Sequence, residues 1–466
     1  MSEMKVKLTE IPGSVVAPQG FQAAGVFCDI KRLGTGKGSE KGEKRDLALI
    51  VSQTPAAVAG MFTTNQVCAA PVKICMARVE KGRARGIVVN SGNANACTAR
   101  QGLEDALAMA GFTEQALNLP KGSVLVGSTG RIGVTMPMDN VRTGIVEAAL
   151  GLGSTTAHAA QAVEAIMTSD TRPKQIAVEF KLGGRTVRLG GICKGAGMIQ
   201  PGMSATGARP AARPLHATML CFLTTDAAIE ATALQAALTE AVARSFNCIT
   251  VDGDMSTNDT VLVLANGQAM RPKSKLRQSA LGGQASALKN QKSKIRNQKC
   301  VEFRIFQAAL SQVCLELAKM IVRDGEGVSR FVTVRVQGAK TFADADAAAR
   351  AVANSSLVKT SWHGGDPNWG RIMDALGYSP ARIVEERVDI GYSAPADRKI
   401  LWSLKRGQPT KATFKDLCAA VAPKEFDLHI RLNLGRAGAL IYAADLTEDY
   451  VDFNKGDVSD PGSLGG

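Results

Sequence analysis

Two periodicities alternate along the chain. Residues 47–51, 86–90, 123–126, 176–180, 185–189 and 260–265 are short runs rich in small and β-branched residues, and several of them are apolar at almost every position. That pattern predicts strands, the continuous runs being covered on both faces. Residues 155–167, 231–245, 306–321 and 343–353 instead repeat apolar residues three and four positions apart, which predicts amphipathic helices. Two last runs, 426–432 and 439–443, predict closing strands. The mixture points to an α/β (mixed α+β) fold without internal repeats.

The polar residues that interrupt these patterns gather in glycine-rich loops. Gly127-Ser128-Thr129-Gly130-Arg131-Ile132-Gly133 follows the strand at 123–126, so a hydroxyl and glycine amides converge at a strand end. Such a loop is either an anion or oxyanion pocket or a plain turn. Its glycine spacing is not a dinucleotide fingerprint, and Gly34-Thr35-Gly36-Lys37-Gly38 reads as a surface hairpin. Lys194 stands among glycines after the strand at 185–189, where it either binds an anionic group or is merely exposed. Thr218 opens the apolar run Met219-Leu220-Cys221-Phe222-Leu223, and a threonine in a buried strand is ordinarily structural.

Composition narrows the class. A chain of 466 residues, 45% hydrophobic and 21% charged, is folded and large enough for two or three substructures. Ten cysteines stand singly, without a Cys-x-x-Cys pair and with only four histidines, so no metal site and a reducing, cytoplasmic location are expected. The N-terminus lacks a signal-peptide core, and no run approaches the ~18–20 apolar residues of a membrane span. The net charge of +14 is concentrated: ten basic residues and one acid, Glu302, lie between Arg271 and Arg304. Interleaved Gln and Asn make that stretch a solvated or flexible insertion, and neither nucleic acid nor membrane is expected as a partner.

Taken together, the motifs are similar to those of the ornithine acetyltransferase family, also called bifunctional glutamate N-acetyltransferase, of arginine biosynthesis. The resemblance runs through Gly20–Val26, Phe62-Thr63-Thr64-Asn65, Asn90-Ser91-Gly92-Asn93-Ala94-Asn95-Ala96, Ser128-Thr129-Gly130, Met167-Thr168-Ser169-Asp170-Thr171, Lys194-Gly195-Ala196-Gly197-Met198-Ile199, Ala217-Thr218-Met219-Leu220, Asp324-Gly325-Glu326-Gly327 and Asp366-Pro367-Asn368-Trp369-Gly370-Arg371. It implies an ornithine-acetyltransferase-like fold with N-terminal-nucleophile chemistry. It also implies self-cleavage between Ala217 and Thr218, giving an alpha-chain region 1–217 and a beta-chain region 218–466 that assemble as a heterotetramer.

The resemblance further implies that Thr218 carries the acetyl group of N-acetyl-L-ornithine to L-glutamate, with Thr129 and Gly130 as the oxyanion hole. Thr168, Lys194, Thr218, Glu326, Asn454 and Ser459 are the implied substrate contacts, with no cofactor, and acetyl-CoA stays open as a second donor. Charge complementarity assigns Lys194 to a substrate carboxylate and Glu326 to its ammonium.

Lys194 and Thr218 are twenty-four positions apart, farther than in the family, so an Arg/Pro/Ala-rich insertion occupies roughly residues 204–215. A second Ala-Thr step, Ala205-Thr206, lies nearer the family spacing, but only Thr218 is followed by the family text Met219-Leu220 and Thr224-Thr225-Asp226. Three readings stay open beside acetyl transfer: an amidohydrolase with water as acceptor, an inactive uncleaved homologue, and a scaffold that binds nucleic acid through residues 271–304.

Overall fold

The computed structural model describes residues 6–31, 44–208, 219–270 and 287–455, and among these the strands form two sheets. In chain order they are β1 (Thr9–Glu10), β2 (Phe21–Val26), β3 (Leu47–Phe62), β4 (Arg83–Asn93), β5 (Val124–Arg131), β6 (Lys174–Leu182), β7 (Arg185–Lys194), β8 (Leu220–Thr225), β9 (Ile249–Thr250), β10 (Thr260–Ala265), β11 (Phe331–Ala339), β12 (Asp389–Ser393), β13 (Leu401–Lys405), β14 (Gln408–Pro409), β15 (Glu425–Arg431) and β16 (Ala437–Ala444). The larger sheet runs β1-β6-β7-β8-β10-β3-β4-β5, with β2 beside the first half of β3. The smaller runs β14-β13-β12-β15-β11-β16-β9. The fold is mixed α/β.

The larger sheet explains why its strands read as nearly continuous apolar runs. In β8, Cys221 and Leu223 face one way, toward the helix Ala231–Ala243 and Phe306, Leu310, Val313, Leu317 and Ile321 of the long helix Ala287–Arg323. Leu220 and Phe222 face the other, against the helices Ala70–Val79 and Thr156–Ile166. With both faces covered, each fully buried Leu or Phe contributes roughly 1.5–3 kcal/mol from apolar burial. β3 carries Pro55, which cannot donate to a ladder, and the pairing of β3 with β4 shifts register between Val51 and Ala56. The smaller sheet packs Val334, Val336, Leu428 and Ile430 against Ala345, Ala349, Val352 and Trp362 of the helices Phe342–Asn354 and Ser356–His363.

The structure corrects several expectations. The strand foreseen at 123–126 continues as β5 to Arg131, because Gly127 to Gly130 stay in register with Val89 to Gly92 of β4. The strand foreseen at 185–189 continues to Lys194, Gly190 and Gly191 pairing with Thr224 and Leu223. Both polar motifs therefore sit on the ends of strands and not in free loops. Of the basic stretch, residues 271–286 lie outside the described residues, but 287–304 form the first turns of the helix Ala287–Arg323 and are not an irregular loop. One stretch of that helix, Val301–Arg323, is long and apolar enough by composition to cross a bilayer, contrary to the sequence reading. Here its apolar side chains pack on the larger sheet. The hairpin expected at 34–38 lies outside the described residues, as do residues 209–215 of the inserted loop.

Candidate active site

Parallel pairing of β4 and β5 aligns Asn90 with Ser128, Ser91 with Thr129 and Gly92 with Gly130. Asparagines then fix the end of β5 from its flank. Asn90 accepts a hydrogen bond from the Ser128 hydroxyl at 2.6 Å and donates to the Asn93 carbonyl at 2.8 Å. Asn93 donates in turn to the carbonyls of Val134 and Thr135 at 3.0 and 3.1 Å. Gly130 has φ +128°, and a side chain there would drive into the backbone of Gly92 and Asn93. Only glycine meets both conditions. Thr129 is 2% exposed, so its backbone is rigidly embedded up to the strand end.

Lys194 ends β7 and is 3% exposed, yet its ammonium forms no hydrogen bond or ion pair with any described residue. Burial depresses its pKa, Lys174 pushes the same way, and the charges of Asp170, Glu326 and Asp259 oppose them. A buried cation without a partner is costly, so its position makes sense only if an anion can reach it. The chain turns at Gly195 (φ +146°), whose N–H donates to Asp170 Oδ1 at 2.7 Å. Gly197 lies against the Glu326 carboxylate, where a Cβ would collide. The glycines of this motif thus let an acid approach the lysine strand.

A buried ion triad ties the remaining pieces together. Lys174 Nζ lies 2.6 Å from Asp170 Oδ1 and also bonds Asp324 Oδ2. Asp170 Oδ2 accepts the Thr168 N–H at 3.0 Å, and Asp324 accepts the Thr171 N–H at 3.0 Å. The Thr168 loop and the turn bearing Glu326 are therefore fixed to one ammonium. Burial works against ionisation of Asp170, but Lys194 and Lys174 prevail and hold its pKa down at about 2. Burial likewise opposes the charge of Lys174, and its two carboxylates raise its pKa. Since the folded pKa of Asp170 is depressed, its stabilisation is complete above about pH 4 and lost as pH falls toward 2. Lys174→Met is expected to lower unfolding free energy by about 3–5 kcal/mol, because two buried carboxylates lose their counter-charge. Thermal unfolding at neutral pH measures the loss, and an unchanged Tm would show that the triad does not stabilise the fold.

These elements enclose a cleft of about 200 Å³ lined by Thr129, Gly130, Thr168, Lys194, Glu326 and Asn454, six of the residues expected from sequence. Asn454, on the short helix Glu448–Asn454, donates to Glu326 Oε2 at 3.1 Å. Ala217, Thr218 and Ser459 lie outside the described residues. Met219, bonded to Thr218, is described: its N–H donates to Asp259 Oδ1, and its carbonyl accepts from the Thr260 N–H at 3.0 Å. The chain therefore reaches β8 beside Asn258, which lines the cleft. Thr206, by contrast, is exposed and not part of the lining.

Sequence reasoning missed the opposite wall, formed by Ser256, Thr257 and Asn258. Asn258 donates to the carbonyls of Ala94 and Ser128 at 2.6 and 2.8 Å, joining this wall to the strand of Thr129. The available signal was the polar run 252–259 directly before the strand at 260–265. Among the described residues no group of His, Cys, Asp or Glu is arranged to hold a metal ion. The cleft presents an ammonium, a carboxylate and backbone amides, which suits a small zwitterion carrying a carbonyl group.

The sequence profile of the ArgJ family matches residues 22–456. The chain is 45% identical over 446 residues to the arginine biosynthesis bifunctional protein ArgJ of Symbiobacterium thermophilum, covering 95% of this chain and 98% of that protein. It is 42% identical over 451 residues to the glutamate N-acetyltransferase of Methanocaldococcus jannaschii, covering 95% and 98%. Among solved structures, a chain of the ornithine acetyltransferase of Mycobacterium tuberculosis complexed with ornithine is 36% identical, with a TM-score of 0.38, covering 42% of this chain and 100% of that one.

Proposed function

This chain belongs to the ArgJ family, and from that premise we propose that its cleft carries out acetyl transfer in two steps through Thr218. The protein is an acyltransferase of arginine biosynthesis that moves an acetyl group from N-acetyl-L-ornithine to L-glutamate. The observation that carries the residue-level reading is the convergence of Thr129, Gly130, Thr168, Lys194, Glu326 and Asn454 on one cleft. Its wall residue Asn258 lies beside the strand that begins just after Thr218.

Thr218 is generated as a chain start by self-cleavage after Ala217. A threonine hydroxyl needs a base, and the new α-amine, with an ordinary pKa of ~7.7–8.0, is neutral often enough at physiological pH to serve. The hydroxyl attacks the acetyl carbonyl of N-acetyl-L-ornithine, the oxyanion is held at Thr129 and Gly130, and ornithine leaves an acetyl-threonine ester. Glutamate's amine then takes the acetyl group. Lys194 holds the α-carboxylate of either amino acid and Glu326 the side-chain ammonium of the ornithine substrate. Ser459 is the remaining substrate contact of this reading, acetyl-CoA stays open as a second donor, and the cleaved chains form a cytoplasmic heterotetramer.

Labelled N-acetyl-L-ornithine added without glutamate tests the mechanism. Mass spectrometry is expected to find a fragment beginning at Thr218 and bearing one acetyl group, which added glutamate removes, with ping-pong kinetics. Absence of the adduct sinks the covalent mechanism, and free acetate released without glutamate makes the protein an amidohydrolase.

A further inference from the structure

Apolar surface is scarce in the cleft. Its lining is glycine or polar except for Ala94, Ile132 and Met198. Ala94 is buried, and Ile132 packs partly against the core under one face of the larger sheet. Met198 differs from both: it is 39% exposed and is the longest apolar side chain of the lining.

Its backbone is held in an unfavourable shape. Met198 has φ +56°, the left-handed region in which an L side chain crowds the main chain and which glycine adopts freely. One carboxylate keeps it there. Asp252 accepts the Met198 N–H on Oδ2 at 2.6 Å and the Ile199 N–H on Oδ1 at 2.8 Å, and Oδ1 also takes the Asp254 N–H at 3.1 Å. The Ile199 carbonyl accepts the Val251 N–H at 2.7 Å, so this turn is gripped on both its donors and its acceptor. A glycine at 198 would satisfy the same turn without strain, as Gly195 does three positions earlier at φ +146°. A strained residue facing a cleft calls for a role of its side chain.

The two charged ends of the cleft supply that role. A molecule that meets both the Lys194 ammonium and the Glu326 carboxylate carries its own opposite charges at the ends of a carbon chain. The methylenes between them gain by leaving water only where an apolar surface receives them. From Lys194 the backbone runs past Gly197, which lies against the Glu326 carboxylate, directly to Met198.

We propose that Met198 is the specificity-determining residue for the length of that carbon chain, an inference that deepens the acetyl-transfer reading above and rests on it. Its thioether packs on the three methylenes of ornithine and leaves no room for a fourth.

The test measures kcat/KM of the purified enzyme for acetyl transfer to L-glutamate from two donors, N-acetyl-L-ornithine and N-acetyl-L-lysine. Both carry the acetyl group on the α-nitrogen, and lysine is longer by one methylene. Met198→Ala is expected to lower the ornithine-to-lysine ratio about 10-fold or more, within the range that one methylene commands in an apolar pocket. Met198→Leu keeps a similar apolar volume and is expected to keep most of the ratio. A ratio unmoved or raised in Met198→Ala, equal losses with both donors included, overturns the proposal and leaves the residue a part of the turn only. Collapse of the ratio in Met198→Leu as well assigns it to the turn rather than to apolar volume and likewise overturns it. Should Met198→Ala not fold, Met198→Gly, which adopts φ +56° without strain, takes its place with the same two outcomes. A wild type that moves no acetyl group from N-acetyl-L-ornithine fails the acetyl-transfer reading and this inference together, whereas an active enzyme whose ratio survives truncation removes the role of Met198 alone.

Discussion

Thr218→Ala is expected to remain one full-length polypeptide and to transfer no acetyl group above background. The substitution removes the oxygen that must bond first to Ala217 and later to the acetyl carbon, so no residual route runs through the same intermediate. A fall in kcat of roughly four orders of magnitude or more is expected, as when the reacting group of other covalent catalysts is removed. Thr218→Ser keeps a hydroxyl and is expected to retain cleavage and part of the transfer rate. Thr206→Ala is expected to leave both intact, because Thr206 is exposed and, among the described residues, its hydroxyl accepts only the Ala208 N–H at 3.3 Å. Gel electrophoresis of the purified variants with an acetyl-transfer assay measures all three. If Thr206→Ala stays uncut while Thr218→Ala is cut, the nucleophile has been misassigned and the cleavage point moves to the earlier Ala-Thr step.

Gly130→Ala is expected to lose about 10²–10³ in kcat, roughly 3–4 kcal/mol of transition-state stabilisation, with a smaller effect on KM. The added methyl would drive into the backbone of Gly92 and Asn93, and φ +128° is unfavourable for any L side chain. The strand end must therefore shift, carrying the amides of Thr129 and Gly130 away from the developing oxyanion. The thermal midpoint falls as well, since the β4–β5 pairing continues through Gly92 and Gly130. The separation of kcat from KM distinguishes a misplaced oxyanion donor from general damage: equal losses in self-cleavage, kcat and substrate binding would argue for a purely structural glycine.

Much of the architecture was legible because the burial pattern is strongly written. The strand at 260–265 has the bounds foreseen, and the helices at 155–167, 231–245 and 343–353 differ by one or two residues at their ends. The polar strand ends were harder. Gly127 to Gly130 and Gly190 to Lys194 have loop composition, but pairing with β4 in the first case, and with β6 and β8 in the second, overrides that propensity. Residues 83–85 and the helix Ala99–Ala116 lack a clean period, the helix because its polar residues are partly buried, as with Asp105, Thr113 and Glu114.

Motif matching picked out Lys194, Glu326 and the Thr129-Gly130 strand end, which line the cleft, but not what holds them. Thr63 and Asn65 of one motif turn out to pin the wall at residues 255–259, through bonds to the carbonyls of Ser256 and Met255 at 2.7 and 3.3 Å. Asn368 of another merely caps the helix Trp369–Gly377, accepting the Arg371 N–H at 3.1 Å. The grip of Asp252 on Met198 is a property of packing between distant segments, and no spacing along the chain encodes it.

The order of strands in the larger sheet bears on what a nick after Ala217 does to the molecule. β8 and β10 come from the later part of the chain and are inserted side by side between β7 and β3 of the earlier part. Breaking one covalent bond at the start of β8 leaves every rung on both sides intact, so the halves stay clasped and come apart only in denaturant. The same interleaving makes the halves poor candidates for separate production. Residues 1–217 alone would expose two bare, apolar strand borders where β8 and β10 belong, and such borders recruit other chains. Synthesis as one polypeptide, closed before the proposed cut, avoids that hazard.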